Sequence, residues 1–129
     1  MPRAVVALRL PLPPTENHLY ATFKGRRIKS KAAREYEVLV GRAVLAAGLA
    51  GVKFGGPVEL SIRLYLSRDR DVTGNKALQD SLATAFGFDD KVIVRLVVDK
   101  QIDRARPRAE VQLRELGLAD LLALGVKPC

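Results

Sequence analysis

Between Arg68 and Lys91 the chain reads RDRDVTGNKALQDSLATAFGFDDK, a segment that concentrates short carboxylates in an otherwise basic protein. Every Asp except Asp120 lies between Asp69 and Asp103, every Glu lies outside that window, and the net charge is +8. Carboxylates gathered in one place repel each other unless something positive, such as a divalent cation, sits among them. Asp69 and Asp71 stand two apart at the end of an apolar strand pattern, so their side chains share a face, as two ligands of one ion must. Thr73, Lys76 and Asp80 follow at helical spacings of three and four and share a helix face. Asp89 and Asp90 come just before the next strand; consecutive strands usually lie side by side, so the pair is expected to return to the same sheet edge. An ion held by Asp71 and Asp90 would polarise a phosphoryl oxygen and acidify a bound water, while Lys76 would offset charge on the pentacovalent phosphate. Each position also has an ordinary structural reading. Asp71, Asp89 and Asp90 suit exposed turns, and Lys76 with Asp80 suits an intrahelical ion pair worth about 0.3–0.5 kcal/mol.

Composition narrows the chemistry further. The one cysteine is Cys129 and the one histidine is His18, which excludes an intramolecular disulfide, a Cys-rich zinc site and a His cluster, and with His18 in an expected loop and no nucleophile motif beside it the pattern argues against a catalytic triad. No glycine-rich phosphate loop or other small-molecule cofactor motif is present. Any metal must sit mainly on oxygen, which favours Mg²⁺ or Mn²⁺. A pI near 10.1 suits a polyanionic partner. The positive charge falls into two groups, Lys24, Arg26, Arg27, Lys29, Lys31 and Arg34 before any acid intervenes, and Arg104, Arg106 and Arg108, while Arg68 and Arg70 interleave with the acids. Two basic groups flanking an acidic centre are what a protein needs to hold a phosphate backbone over metal-binding carboxylates. A solvated charged face is the plainer alternative.

These residues need a scaffold. At 129 residues and 48% hydrophobic content the chain is expected to be a single folded domain spanning residues 1–129. No apolar run approaches the roughly 20 residues of a membrane span, and Arg9 and Pro11 interrupt the first apolar stretch, so a soluble, cytoplasmic protein is expected. Val5–Leu12 reads as a strand stopped by PLPP, and 15–29 as a loop or a short hairpin turning at Gly25. Ser30 can cap a helix running to about Ala47, with Ala33, Tyr36, Val40, Val44 and Ala47 on its buried face and Gly48 ending it. A glycine-rich connector leads to a cleanly alternating strand, Val58–Leu66. Thr73 can cap a second helix to about Phe86 that buries Ala77, Leu78, Leu82, Ala85 and Phe86. Lys91–Ile102 and Arg108–Leu116 read as strands joined by the DRARP turn, and LADLLALG as a short helix. The order βαβαββ implies an α+β fold, a small mixed sheet with two main helices on one face.

From about Leu10 to Leu116 the chain resembles the RusA-type Holliday junction resolvases. The resemblance begins at LPLPPTENHLY and the basic GRRIKS, resumes at PVELSIRLYL, and is most specific in RDVTGNKALQDSL followed by GFDDKVIV. It implies a homodimeric, Mg²⁺-dependent endonuclease that acts on branched, four-way DNA and nicks it symmetrically. Matched residue by residue, Asp71 corresponds to the first metal-binding acid, Lys76 to the essential lysine, Asp80 to the helix acid and Asp90 to the final metal-binding acid. The family's second Asp is Thr73 here, with one residue fewer before Lys76. Asp69, Asp80 or Asp89 then compensates as a further ligand, or the ion is held more weakly, or the protein binds DNA without cutting it. Residues 117–129 lie outside the resemblance.

Overall fold

Strict alternation of buried and less buried residues makes Val58–Leu66 the backbone of the molecule. The computed structural model describes residues 5–14, 20–23, 26–69 and 75–125, and of residues 20–23 and 26–29 the backbone alone. In chain order the elements are β1 (Val5–Leu10), β2 (Tyr20–Phe23), β3 (Arg26–Lys29), α1 (Lys31–Ala46), β4 (Val58–Leu66), α2 (Asn75–Phe86), β5 (Ile93–Ile102), β6 (Arg108–Glu115) and α3 (Leu118–Ala123), with a 3-10 turn at Asp90–Val92 before β5. The main sheet has the order β1-β6-β4-β5. β4 is antiparallel to β6 and parallel to β5, so the sheet is mixed as expected. β2 and β3 pair antiparallel with each other, which favours the hairpin alternative for 20–23 and 26–29, while 15–19 and the expected turn at Gly25 lie outside the described residues.

One face of the sheet carries the core. Val6, Leu8 and Leu10 of β1, the even residues from Val58 to Leu66 of β4, and Ala109, Val111 and Leu113 of β6 pack with Ala33, Tyr36, Val40 and Val44 of α1 and with Ala77, Leu78, Leu82 and Phe86 of α2. Removing one of β4's fully buried leucines, as in Leu64→Ala, is expected to cost about 2–5 kcal/mol, because a filled site becomes a cavity. The other face carries polar residues such as Arg63 and Tyr65, which leaves it solvated.

Local chemistry sets the helix ends. The Ser30 hydroxyl accepts the Ala33 N–H at 3.1 Å and starts α1. The Leu49 N–H returns to the Val44 carbonyl and the Gly48 N–H to Leu45, with Gly48 at φ 74°, a conformation that favours glycine. Ala47 is therefore an exposed cap, not the last buried position of α1. The Tyr36 hydroxyl donates to the Pro11 carbonyl at 2.9 Å, tying α1 to the segment after β1; burial pushes this phenol's pKa well up.

One strand boundary changes: β5 begins at Ile93, not Lys91, because Asp90–Val92 forms the 3-10 turn. The DRARP turn joins β5 to β6 as expected, but β4 lies between the two strands and the turn passes over the end of β4, where the Asp103 N–H donates to the Leu66 carbonyl at 2.8 Å.

Candidate active site

Parallel pairing decides where the acids go. Val58 stands opposite Ile93 and Leu66 opposite Ile102, so the start of β5 lies at the far end of the ladder from the end of β4. Eight residues of strand separate those ends by about 26 Å. The expectation that Asp89 and Asp90 return to the edge where β4 ends is thus corrected: a helical crossover into a parallel strand brings strand starts together, whereas only a hairpin sets an end beside a start.

Asp90 meets α2 instead. At the end of α2, Gly87 adopts φ 71° and the Phe88 N–H donates to the Ala83 carbonyl, which turns the chain back beside the helix. Phe54, in the connector before β4, packs edge-on against Phe86 and Phe88, with ring centroids 5.6 and 5.9 Å away, and fixes this turn. Asp90 then lies 3.3 Å from Lys76 Nζ, and Asp80, one helical turn after Lys76, lies 3.2 Å from the same nitrogen. The expected Lys76–Asp80 pair forms, and Asp90 joins it from outside the helix.

Hydrogen bonds from Lys76 to Asp80 and Asp90 raise its pKa, so at neutral pH it is a fixed ammonium and not a base. Asp80 is the more buried carboxylate, its side chain 26% exposed against 44% for Asp90. Asp89 stands at the edge of this group, its side chain interacting with that of Asp90. Its carboxylate caps the 3-10 turn by accepting the Lys91 N–H at 3.0 Å, and that bond holds its pKa below the usual value. Asp69 forms a 2.8 Å ion pair with Lys100 of β5. Asp71, Thr73 and Arg70 lie outside the described residues.

Asp80 and Asp90 converge on one cation, and their oxygen donors suit a hard ion such as Mg²⁺, which commonly takes one or two protein carboxylates and completes its shell with water and phosphate. No group of three or more His, Cys, Asp or Glu is placed to hold an ion among the described residues. Sequence reasoning passed over Asn75, the first residue of α2. Its buried Oδ1 has no hydrogen-bond partner among the described residues, an arrangement that a water or an ion satisfies. The only sequence signal was its place beside Lys76.

The basic candidates separate by use. Arg104 and Arg106 are exposed on a turn shaped by Asp103, whose Oδ1 accepts the Ala105 and Arg106 N–H groups. Arg68 is exposed two residues beyond the end of β4, at the same end of the sheet. Arg108 is engaged internally by Asp103, by Glu110 and by the face of Tyr65. Lys31 opens α1 and pairs loosely with Glu35 at 3.8 Å. Arg26, Arg27 and Lys29 fall on β3, and Lys24 lies outside the described residues.

No helix among the described residues is long and apolar enough to cross a membrane. No curated protein sequence matches the chain. A family model, endodeoxyribonuclease RusA, matches residues 11–114, a span that takes in Lys76, Asp80 and Asp90 as well as β4, β5 and nearly all of β6, while β1 lies just before it. With that match over most of its length, the chain belongs to the RusA endodeoxyribonuclease family.

Proposed function

We propose that this protein is a divalent-metal-dependent, structure-selective endonuclease that resolves four-way DNA junctions by paired symmetric nicks, in recombination and repair. The observation that carries this reading is the meeting of Lys76 with Asp80 and Asp90 inside the family-matched region. Mg²⁺, with Mn²⁺ as a substitute, suits the oxygen donors. Asp90 and Asp71 are the residues assigned to hold it. The chain itself keeps Asp71, five residues before Lys76, within about 17 Å of it. Such an ion, when bound, supplies polarisation of a phosphoryl oxygen and a more acidic water.

The chain's own residues do the rest. Lys76 stays protonated and offers its charge to the phosphate, where negative charge grows towards the transition state. Asp80 positions that ammonium from within the helix. Arg68, Arg104 and Arg106, with the basic residues of β3 and Lys31, provide sequence-independent phosphate contacts, so selectivity comes from the branched shape of the DNA. Two opposed cuts call for two sites, hence a homodimer.

The test is incubation of the full chain with a synthetic four-way junction and Mg²⁺. Paired nicks in opposed strands, abolished by a chelator, are expected. A second reading, a junction-binding protein that does not cut, draws on Thr73, a neutral hydroxyl where the family pattern has an acid. Shifted but intact junctions would favour it.

A further inference from the structure

β5 is an edge strand of ten residues whose ladder partner among the described residues is β4. Proteins usually blunt such an edge by making it short, by charged side chains, by a proline or by a bulge. β5 is long and contains no proline, the one shift in its pairing lies at its start between Ile93 and Arg95, and its charged residues Arg95, Asp99 and Lys100 are each already engaged in an ion pair within the chain. Val94, Leu96 and Ile102 alternate along it at 36%, 42% and 48% exposure. A scattered exposed leucine is ordinary, but a row of apolar side chains along open backbone hydrogen-bonding groups is a template for another strand.

The residues of β5 match their own antiparallel copy. A two-fold axis through Val97 sets Arg95 opposite the partner's Asp99, and Asp99 opposite the partner's Arg95. On the helix-bearing face the same register sets Leu96 against the partner's Val98. Within each chain Arg95 already pairs with Glu59 at 3.2 Å and Asp99 with Arg63 at 2.8 Å, so the new contacts would join two existing pairs into a line of alternating charge. Other registers lose this match. An axis at Leu96 or Val98 sets a charged residue against Val97, and an axis at Arg95 or Asp99 sets like charges face to face, which is unfavourable for cross-strand neighbours.

We infer that β5 pairs with β5 of a second copy about Val97, fusing two four-stranded sheets into one and delivering the partner's Arg104–Arg106 turn to the Lys76–Asp80–Asp90 cluster. This rests on the homodimer reading above. It follows from continuing the register: Asp90 comes level with the partner's Arg104. In one chain that basic turn lies at the far end of the β4–β5 ladder from the start of β5. Pairing through β5 adds a cationic flank to each cluster of carboxylates, which helps phosphate to approach.

The test places a cysteine on the axis. In a Cys129→Ser background, Val97→Cys faces itself across the interface, where antiparallel Cα separations of about 4.5–5.5 Å lie within disulfide reach. Mild oxidation should convert most of the protein to a covalent dimer, whereas Val38→Cys, on the exposed side of α1, should not. Leu96→Lys, at an exposed position, should raise the dimer dissociation constant by about 30-fold or more in sedimentation while leaving the thermal melt of the fold in place. A dimer that neither cross-links at Val97→Cys nor weakens with Leu96→Lys overturns the β5 pairing and leaves the homodimer reading standing. A wild-type chain that stays monomeric with and without junction DNA overturns both.

Discussion

Two clusters in this molecule have the same formal make-up, one cation between two carboxylates, yet they are built differently. Arg108 donates through Nε to Glu110 at 2.7 Å and through Nη1 to Asp103 at 2.8 Å and to the Arg106 carbonyl at 2.9 Å, with its guanidinium 3.8 Å from the centre of the Tyr65 ring. These short bonds engage the guanidinium on several sides, and the side chain is 21% exposed. Among the described residues Lys76 has longer contacts, of 3.2 and 3.3 Å, and it is 48% exposed. A planar fork engaged on several sides fixes a turn, whereas an ammonium held loosely by half-exposed carboxylates can exchange them for a phosphate or share them with an ion. The contrast separates a structural pair of charges from one available to chemistry. Composition alone does not make that separation, since Arg108 belongs to the same run of arginines as Arg104 and Arg106.

The sharpest way to break the contrast is Asp90→Asn. On our reading it lowers single-turnover junction cleavage by on the order of 10²–10³ or more while binding persists or tightens, because an acidic ligand and a repulsion toward phosphate vanish together. Asp71→Asn should do the same. Wild-type turnover by either variant would return Asp90 to the role of a surface turn acid. Lys76→Ala comes next, with a loss of about 10²-fold in the cleavage step and a change in stability within about 0.5 kcal/mol, as suits an exposed ion pair. Unchanged single-turnover rates would leave Lys76 as no more than Asp80's partner.

The opposite pattern is expected at the other cluster. Arg108→Lys keeps the charge but loses the fork and the flat stack on Tyr65, so the melting temperature should fall by several degrees while cleavage per folded molecule holds. A drop in activity without a drop in stability would move Arg108 into the DNA-contacting set. The smallest effects concern pH. Bonds from Arg108 and from backbone N–H groups hold the Asp103 pKa below its usual value, so its contribution is present above the ordinary Asp range near about 3.9 and is lost as pH falls through the lowered folded value. Acid titration of Asp103→Asn should therefore show a shallower loss of stability than the wild type. Lys76 has the reverse sign: its raised pKa keeps its contribution intact below the ordinary lysine value near about 10.4 and loses it only as pH rises through the folded one. The pH–rate profile should accordingly show no limb from Lys76 between pH values of about 6 and 9.

What the amino-acid order determined unaided was local. Period-two alternation marked β4, helical spacing marked most of the buried faces of α1 and α2, although Ala47 is exposed and Ala85 only partly buried while Ser81 and Ala83 are buried, Ser30 and Gly48 marked the ends of α1, and the spacing of four made Lys76 and Asp80 partners. The motif from Asp71 to Asp90 was also legible, as residue types at set intervals. Tertiary structure decided which ends meet. Nothing in Ile93–Ile102 says that it lies parallel to β4 with β6 on β4's other side, and that arrangement sets Asp69 on Lys100 and leaves Asp90 to Lys76. Likewise, the arginine run does not announce that Tyr65, Asp103 and Glu110 will occupy Arg108 and leave Arg104 and Arg106 exposed. Periodicity and capping act over a turn or a few residues, so they are written in neighbouring positions. Strand order and ion-pair choice depend on segments tens of residues apart competing to bury the same face, and only the folded chain resolves that competition.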